Sequence, residues 1–253
     1  MLELENVVAG YGAAAILDRV NLIVRRGSIT TITGPYGAGK SAILQAIFGL
    51  LPVRHGRIAF DGKETTNAPP RRLLAAGMCF VPQGCSIIPG LTVRQNIELG
   101  AAAARSRAGL SSRLAAALAQ FPALLAKADQ RAGDLANGEK KLLEIARCLM
   151  IEPKLVLIDE PSVGLPSDAA KEILSALTGL RARGITVLVA EQNAKSLLGV
   201  SDDAIVVELG RTRHSDRAAS LMADPRIGQL FLGGPMGVTA PLSSGTGWLE
   251  KKE

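Results

Sequence analysis

The sequence contains few cysteines, histidines and aromatic residues, and these shortages argue against several kinds of protein. The three cysteines, Cys79, Cys85 and Cys148, form no C-x-x-C pair, and His55 and His214 are the only histidines. A zinc site needs its ligands in a tighter cluster than this, so we expect no structural zinc. Aromatic residues make up only 3% of the chain, so aliphatic side chains must fill the core.

Long apolar runs are also missing. A membrane-spanning helix needs about 18 or more consecutive apolar residues, and the sequence has no such run. The N-terminal segment MLELENVVAG lacks the basic and then apolar layout of a signal peptide. We therefore expect a soluble, cytosolic chain.

The overall size and charge fit a globular protein. The chain has 253 residues, of which 47% are hydrophobic, and a net charge of +6. This length suits one α/β domain with an inserted subdomain and allows a sizeable core. The positive charge is consistent with an anionic ligand or anionic lipid, although scattered, solvated lysines and arginines would give the same total. We expect no nucleic-acid partner.

Short runs of apolar or β-branched residues, bounded by polar or turn residues, predict strands. Three lie near the N-terminus, and three further along are typical of the buried strands of a mainly parallel sheet. The predicted strands are Leu2–Glu5, Val20–Val24, Ser28–Thr33, Met78–Val81, Leu155–Ile158 and Thr186–Ala190.

Between residues 84 and 152 the pattern changes to alanine- and leucine-rich segments at helical spacing. Thr92–Arg105 and Ser111–Lys127 predict helices, with Thr92 and Ser111 as N-caps. We interpret this region as a helical subdomain inserted into an α/β domain that spans residues 1–234. Residues 235–253 are rich in Gly, Pro, Ser and Thr, which predicts a flexible tail.

A glycine-rich segment, Gly34–Ser41, fits the pattern G-x-x-x-x-G-K-[ST] of a phosphate-binding loop. Its glycines allow backbone N–H groups to turn toward phosphate oxygens, and the helix predicted over Ser41–Leu51 adds a positive dipole. Lys40 would reach the β- and γ-phosphates, and the Ser41 hydroxyl would ligate Mg²⁺. The alternative is a glycine-rich turn that binds nothing, which the strand before it and the helix after it disfavour.

Two carboxylates, Asp159 and Glu160, follow the predicted strand Leu155–Ile158. A buried strand places them at the carboxyl edge of the sheet, where the ligands of such folds bind. Asp159 would hold Mg²⁺, and Glu160 could polarise the attacking water. Acids at a strand end can also be ordinary capping or turn residues, but the phosphate loop upstream favours the catalytic interpretation.

Several shorter motifs, in order along the chain, resemble those of ABC ATPases. They are an aromatic residue that would stack on adenine, a Q-loop glutamine, an LSGGQ-type signature with its helix, and a D-loop: Tyr11, Gln83, Leu135–Glu139, Lys141–Leu149 and Pro161–Leu165. The resemblance extends to Gly234. It implies a P-loop NTPase (RecA-like) core with an antiparallel β subdomain and an inserted α-helical signature subdomain.

The resemblance also implies an enzyme that hydrolyses ATP, with ATP and Mg²⁺ as cofactors. Glu160 and Gln192 would be catalytic, with Gln192 standing where the family usually has a switch histidine. Three residues would hold the metal: Ser41, Gln83 and Asp159. The residues implied to contact the nucleotide are Tyr11, Gly34, Pro35, Tyr36, Gly37, Ala38, Gly39, Lys40, Ser41, Ala42, Gln83, Ala136, Asn137 and Gly138.

Two segments narrow the resemblance to the ATPases of branched-chain amino acid importers. Val189–Asn193 reads VAEQN and resembles the VEQN form of one of their two ATPases, and Arg226–Gly233 resembles their ending. Importers of amides and urea share these traits and stay as an alternative. The resemblance implies a second, different ATPase subunit, transmembrane permease subunits and, indirectly, a solute-binding protein as partners. It also implies a peripheral location on the cytoplasmic face of the inner (plasma) membrane.

Four residues depart from the family pattern. Ala136 replaces the signature serine whose hydroxyl would contact the γ-phosphate, and Asn137 replaces a glycine, although Asn tolerates positive φ better than most residues. Ala42 replaces a threonine and Tyr36 an asparagine in the phosphate loop. A lost hydrogen bond to a charged phosphate costs about 1.5–3 kcal/mol. A second alternative is therefore a nucleotide-gated regulatory protein outside transport that hydrolyses ATP weakly.

Overall fold

The computed structural model describes residues 1–12, 14–103, 108–192 and 194–224. The predicted importer-type ending, Arg226–Gly233, and the predicted tail, residues 235–253, lie outside the described residues, as do Arg105 and Asn193. The division into a domain of residues 1–234 and a tail therefore stays a prediction.

Within the described residues, ten strands form two sheets. In chain order the strands are β1 (Leu2–Ala9), β2 (Leu17–Val24), β3 (Ile29–Thr33), β4 (Val53–Phe60), β5 (Lys63–Glu64), β6 (Met78–Val81), β7 (Leu155–Asp159), β8 (Thr186–Ala190), β9 (Asp203–Glu208) and β10 (Arg211–Arg217).

The same part of the chain forms nine α-helices and three short 3-10 turns. The helices are α1 (Lys40–Ile47), α2 (Pro70–Ala76), α3 (Val93–Leu99), α4 (Leu110–Gln120), α5 (Pro122–Leu125), α6 (Asn137–Cys148), α7 (Ser167–Ala182), α8 (Lys195–Leu198) and α9 (Ala218–Ala223). The turns are Gly100–Ala103, Ala132–Asp134 and Leu149–Ile151.

The two sheets confirm the predicted fold class. The larger sheet has the order β10-β9-β3-β8-β7-β6, in which every pair is parallel except β10 with β9. The smaller sheet is antiparallel, with the order β2-β1-β4-β5. Helices α3 to α6 lie in the chain between β6 and β7, the region for which a helical insert was predicted.

Two apolar cores lie on opposite sides of the larger sheet, because successive side chains of a strand point to opposite faces. Along β7, Val156 and Ile158 enter the core shared with the helical insert and α7. Leu155 and Leu157 enter the core shared with α1 and the antiparallel sheet. Within the described ranges, no helix combines the length and the apolar character that crossing a membrane requires.

The structure corrects the limits of three predicted helices. Thr92 is the N-cap of α3, as predicted, and its hydroxyl accepts a hydrogen bond from Gln95 N at 3.1 Å. However, α3 ends at Leu99 and passes into a 3-10 turn at Gly100, where an added Cβ would lie 2.2 Å from a backbone oxygen of α6. The close approach of α6 therefore makes glycine necessary there.

The N-cap predicted at Ser111 is wrong. Helix α4 begins one residue earlier, and Gly109, with a φ of +70°, precedes it as the N-cap. The helix predicted to continue to Lys127 ends at Gln120, because Pro122 lacks an N–H group and starts the separate helix α5. Similarly, the helix predicted to reach Leu51 ends at Ile47, two residues before Gly49, whose φ of +72° is left-handed.

Candidate nucleotide-binding site

The candidate site lies at the carboxyl edge of the larger sheet. Strands β3, β8, β7 and β6 are consecutive parallel neighbours, so the loops that follow them meet at one edge. These four loops carry the phosphate loop, Glu191 with Gln192, Asp159 with Glu160, and Gln83.

The glycines of the phosphate loop have conformations and surroundings that other residues would not tolerate. Gly34 has a φ of +154°, and a Cβ there would lie 2.0 Å from the carbonyl oxygen of Val207. Gly39 has a φ of +102° and is the N-cap of α1. The loop therefore leads directly into a helix N-terminus, where backbone N–H groups and the helix dipole favour an anion.

The remaining residues predicted for this loop differ in exposure. Tyr36 is 87% exposed at the outer turn, and Pro35 is half-buried. Ala38 and Ala42 are buried in the core beneath α1. Ala42 therefore presents a methyl group to the core and has no hydroxyl to offer a phosphate.

Lys40 places its ammonium group inside the loop. Its side chain is buried, and Nζ donates hydrogen bonds to the carbonyl oxygens of Gly34 at 2.9 Å and Pro35 at 3.1 Å. Burial lowers the pKa of Lys40, while Glu160, Glu191 and Asp159 nearby oppose that shift. A desolvated ammonium group beside a helix N-terminus is suited to a phosphate.

Ser41 and Asp159 form the second contact of the site. Ser41 Oγ donates to Asp159 Oδ1 at 2.9 Å, and Asp159 is 3% exposed. Burial raises the pKa of Asp159, against the hydrogen bond from Ser41 and the charges of Lys40 and Lys141. A hydroxyl and a carboxylate are hard oxygen donors of the kind that Mg²⁺ prefers. The two side chains therefore fit the metal predicted for them.

Gln83 and Glu160 form the third contact. Gln83 Nε2 donates to Glu160 Oε2 at 2.8 Å, so the loop after β6 touches the carboxylate predicted to be catalytic. Glu160 has a φ of +42°, and its backbone N–H donates to Ala190 O at 2.8 Å. Burial raises the pKa of Glu160, Lys40 opposes this shift, and Asp159 and Glu191 reinforce it. A raised pKa and a strained backbone are both common at catalytic positions.

Glu191 belongs to the same site, although the sequence patterns did not single it out. It is 2% exposed and lies directly after β8. It accepts hydrogen bonds from the backbone N–H groups of Ser162, at 3.3 Å, and Gln192, at 2.9 Å. The side chain of Gln192 is exposed at the rim of the site. An acid directly after a buried strand, as at Asp159, is the pattern that could have identified Glu191.

Tyr11 lies at the side of the site formed by α1. Its ring is 56% exposed, and its hydroxyl donates to Gln45 Oε1 at 3.3 Å. Arg54 donates hydrogen bonds to the carbonyl oxygens of Gly12 and Ala14, just after Tyr11 in the chain. An exposed ring beside the phosphate-loop helix fits the predicted stacking on adenine.

The signature segment, Leu135–Glu139, is not brought into this cluster. Ala136 and Asn137 are exposed at the start of α6, and the hydrogen bonds of Glu139 go to Ala136 N and Lys127, within the helical insert. Asn137 is the first residue of the helix and does not have a positive φ, so the tolerance of asparagine for that conformation is not needed there. At Gly138, a Cβ would lie 2.7 Å from that of Ala169, so its smallness lets α6 pack on α7.

Three side chains of α6, which we call the helix clamp, hold the loop after β6: Lys141, Glu144 and Arg147. Lys141 Nζ donates to Pro82 O at 2.8 Å and pairs with the buried Glu144 at 2.7 Å. Glu144 accepts from Ser86 Oγ at 2.7 Å, and Arg147 donates to Ser86 O at 2.9 Å. The clamp therefore joins the signature helix to the loop that carries Gln83.

Comparisons with known proteins show which proteins this chain resembles. The sequence profile of the ABC transporter family matches residues 17–163. The chain is 35% identical to the high-affinity branched-chain amino acid transport ATP-binding protein BraG of Pseudomonas aeruginosa, over 92% of this chain and 100% of that protein. It is 33% identical to the probable branched-chain amino acid transport ATP-binding protein LivF of Archaeoglobus fulgidus, over 92% of this chain and 99% of that protein.

Among solved structures, the fold is similar to the ADP conformation of an ATP-binding cassette of an ABC transporter. The TM-score is 0.81, the sequence identity is 29%, and the match covers 92% of this chain and 99% of that chain.

Proposed function

The chain belongs to the ABC transporter family, and from that premise we propose that it is the ATP-binding and ATP-hydrolysing subunit of a branched-chain amino acid importer. The observation that carries the proposal is the single cluster of Lys40, Ser41, Asp159, Glu160 and Gln83 at the sheet edge. The relatives named as branched-chain amino acid transport proteins support the substrate class.

We assign a separate task to each side chain of the cluster. Lys40 and the backbone N–H groups of its loop bind the β- and γ-phosphates. Ser41, Asp159 and Gln83 supply the oxygens for Mg²⁺, which when bound would offset the charge of the phosphates. Glu160 orients the attacking water and accepts its proton. Gln192 lies at the rim, where it can face the γ-phosphate.

We propose that the chain works in a pair with a second, different ATPase subunit. The exposed segment with Ala136 and Asn137 would then cover the nucleotide of the partner, and the signature of the partner would cover the nucleotide at Lys40. In a pair of identical chains both sites would lack the signature hydroxyl. A different partner with an intact signature leaves one competent site, the one built on Lys40 and Glu160.

The test of the transport function begins with purification from detergent-solubilised membranes. A multi-span permease and a second ATPase should co-purify with the chain, on the cytoplasmic face where ATP is available. After reconstitution of that complex in vesicles with its solute-binding protein, leucine, isoleucine or valine should stimulate phosphate release. Stimulation by urea or a short amide instead would assign the chain to the related importer class.

The missing hydroxyl at Ala136 favours one other candidate, a nucleotide-gated regulatory protein that hydrolyses ATP weakly. Its expected result is a chain that binds ATP, co-purifies with no multi-span membrane protein and turns over no faster when amino acids are added. The same purification therefore separates the two candidates.

The test of unequal pairing uses Ala136→Ser in the assembled complex, alone and with Glu160→Gln. If Ala136 acts on the site of the partner, the restored hydroxyl should raise residual phosphate release even when Glu160 is disabled. Phosphate release by purified pairs of this chain alone, at the rate of the full complex, would contradict unequal pairing.

A further inference from the structure

Glu191 is a buried carboxylate with two distinct sets of hydrogen-bond partners. Its Oε2 accepts from the N–H of Ser162 at 3.3 Å and from the Ser162 hydroxyl at 2.5 Å. Its Oε1 accepts from the N–H of Gln192 at 2.9 Å. One side chain, 2% exposed, therefore joins the turn after Glu160 to the rim of the site.

The backbone holds Glu191 in the centre of the sheet. Its N–H donates to Ile32 O of β3 at 2.9 Å, just before the phosphate loop. The N–H of Glu160 in turn donates to Ala190 O at 2.8 Å. The carboxylate is thus fixed relative to both the phosphate loop and the catalytic carboxylate.

Glu191 joins two separate loops, in which Ser162 is half-buried and the neighbouring side chains are exposed. Val163, next to Ser162, is 52% exposed, and the side chain of Gln192 is exposed. Loops with such exposure have few apolar contacts to hold them. The hydrogen bonds to the buried, charged carboxylate of Glu191 hold the two loops in place where apolar packing does not.

A carboxylate is needed for this contact, because both of its oxygens accept hydrogen bonds. A glutamine has one acceptor oxygen and one NH₂ group. It could satisfy Ser162 or Gln192, but its NH₂ group would then face the N–H of the other. A buried N–H without an acceptor is costly, so the two loops would lose their common support.

We propose that Glu191 is a positioning residue that holds Ser162 and Gln192 in one arrangement beside Glu160 and thereby sets the rate of ATP hydrolysis. The proposal rests on the proposed ATPase function. Because the side-chain hydrogen bonds of Glu191 go to Ser162 and Gln192 and not to the phosphate loop, the proposal predicts a much larger effect on turnover than on nucleotide binding.

The kinetic test compares Glu191→Gln, Ser162→Ala and their combination in the assembled transporter, with MgATP. Each single change should lower kcat by roughly tenfold, as expected for the loss of a charge-assisted hydrogen bond that positions a catalytic group, and should leave KM within about twofold. The double variant should be no slower than the slower single variant, because both changes break one contact. Ser162→Thr, which keeps the hydroxyl, should recover turnover.

A matched control is Glu172→Gln on the exposed face of α7, which should change neither parameter. Additive losses in the double variant, a rise in KM at constant kcat, or a Ser162→Thr variant as slow as Ser162→Ala would overturn the proposal. If Glu191→Gln does not fold, the Ser162 variants still decide the question, since the hydroxyl they alter is on the turn and not in the core.

A second measurement separates this proposal from the proposed function. Amide hydrogen exchange of the full chain should be faster at both Ser162 and Gln192 in Glu191→Gln than in the wild type. Faster exchange at Gln192 alone would contradict the proposal that Glu191 holds both residues, whether or not the chain hydrolyses ATP. A wild-type complex with normal exchange and no phosphate release would count against the proposed function only.

Discussion

The residues predicted for the site form two groups that differ in how their polar side chains are paired. We call the cluster at the sheet edge the sheet-edge half, and the separate segment Leu135–Glu139 the signature half. On the sheet edge the polar side chains of the cluster are paired with one another, as in Ser41 with Asp159 and Gln83 with Glu160. On the signature segment Ala136 has no polar side chain, and only Glu139 contributes to the cap of α6.

The difference follows from where the residues lie. Asp159 is buried at a strand end, where an unpaired carboxylate would destabilise the fold. Ala136 and Asn137 are exposed, so a hydroxyl can be lost there without leaving any buried group unsatisfied. Folding thus requires the buried polar groups of the sheet-edge half to be paired, and it sets no such requirement at Ala136 and Asn137.

The largest expected effect comes from the sheet-edge half. Glu160→Gln should reduce phosphate release by about 10²- to 10⁴-fold, because an amide cannot accept the proton of water. The carbonyl oxygen of the new side chain can still accept the hydrogen bond from Gln83, so the loop should keep its position and MgATP affinity should change little. Nucleotide affinity and phosphate release are measured on the assembled transporter.

Glu152→Gln is a suitable control for that substitution, since Glu152 has a mostly exposed side chain outside the cluster and also has a positive φ. It should leave phosphate release unchanged. Turnover of Glu160→Gln at the wild-type rate would remove Glu160 from the catalytic role and leave the sheet-edge half as a binding site.

The next largest effect is expected at the helix clamp, whose contacts join the signature helix α6 to the loop that carries Gln83. Lys141→Met removes the partner of Glu144, whose side chain is 1% exposed. Loss of one partner of a buried ion pair costs about 3–5 kcal/mol, so the free energy of unfolding in urea should fall by that order. Lys171→Met, at an exposed pair on α7, should change it by less than about 1 kcal/mol.

If the free energy of unfolding fell by less than about 1 kcal/mol in both variants, the clamp would not be a structural link. In that case the signature helix would be held by its apolar contacts alone, and the loop with Gln83 would move independently of α6.

Several parts of the fold could be predicted because their patterns are local. Strands β6 and β8 have the predicted limits, and β7 continues by one residue, because short apolar runs in a parallel sheet are buried on both faces. Strand β4 was missed, since Arg54, His55 and Arg57 interrupt its apolar pattern while its pairing with β1 forms it. That pairing is a contact between distant residues, which no local pattern contains.

The residues of the site divide in the same way, into those that a local sequence pattern reveals and those that depend on distant contacts. The phosphate loop and the acids after β7 are recognisable because glycine conformations and strand ends leave a sequence pattern. The helix clamp is not recognisable in this way, and for Glu191 the strand-end pattern reveals the acid but not its partner. The partners of Glu191 and Glu144, which are Ser162 and Ser86, lie 29 and 58 residues away in the chain, so no local pattern pairs them.

A smaller effect concerns Tyr11, at the side of the sheet-edge half that α1 forms. Tyr11→Ala should weaken ATP binding by about 1–3 kcal/mol, the value of stacking between a base and an aromatic ring. Tyr11→Phe should be nearly neutral, because the ring is retained and the hydrogen bond to Gln45 is long, at 3.3 Å. Equal losses of affinity in both variants, measured by nucleotide titration, would mean that the hydroxyl and not the ring face matters.

The smallest expected effect concerns the hydroxyl group that the signature half lacks at Ala136. Ala136 has the extended conformation of an N-cap, with φ of −64° and ψ of 157°, and Glu139 already accepts its N–H at 3.1 Å. A serine there could accept the N–H of Glu139 and complete a capping box, so Ala136→Ser should raise the free energy of unfolding by about 1 kcal/mol. The same substitution at Ala115, on the exposed face inside α4, should give no gain, because the hydroxyl has no free N–H group to cap. Urea unfolding of the two variants and the wild type provides the comparison. An equal change at both positions would mean that α6 is already fully capped, and the contrast between the two halves would then concern the nucleotide alone.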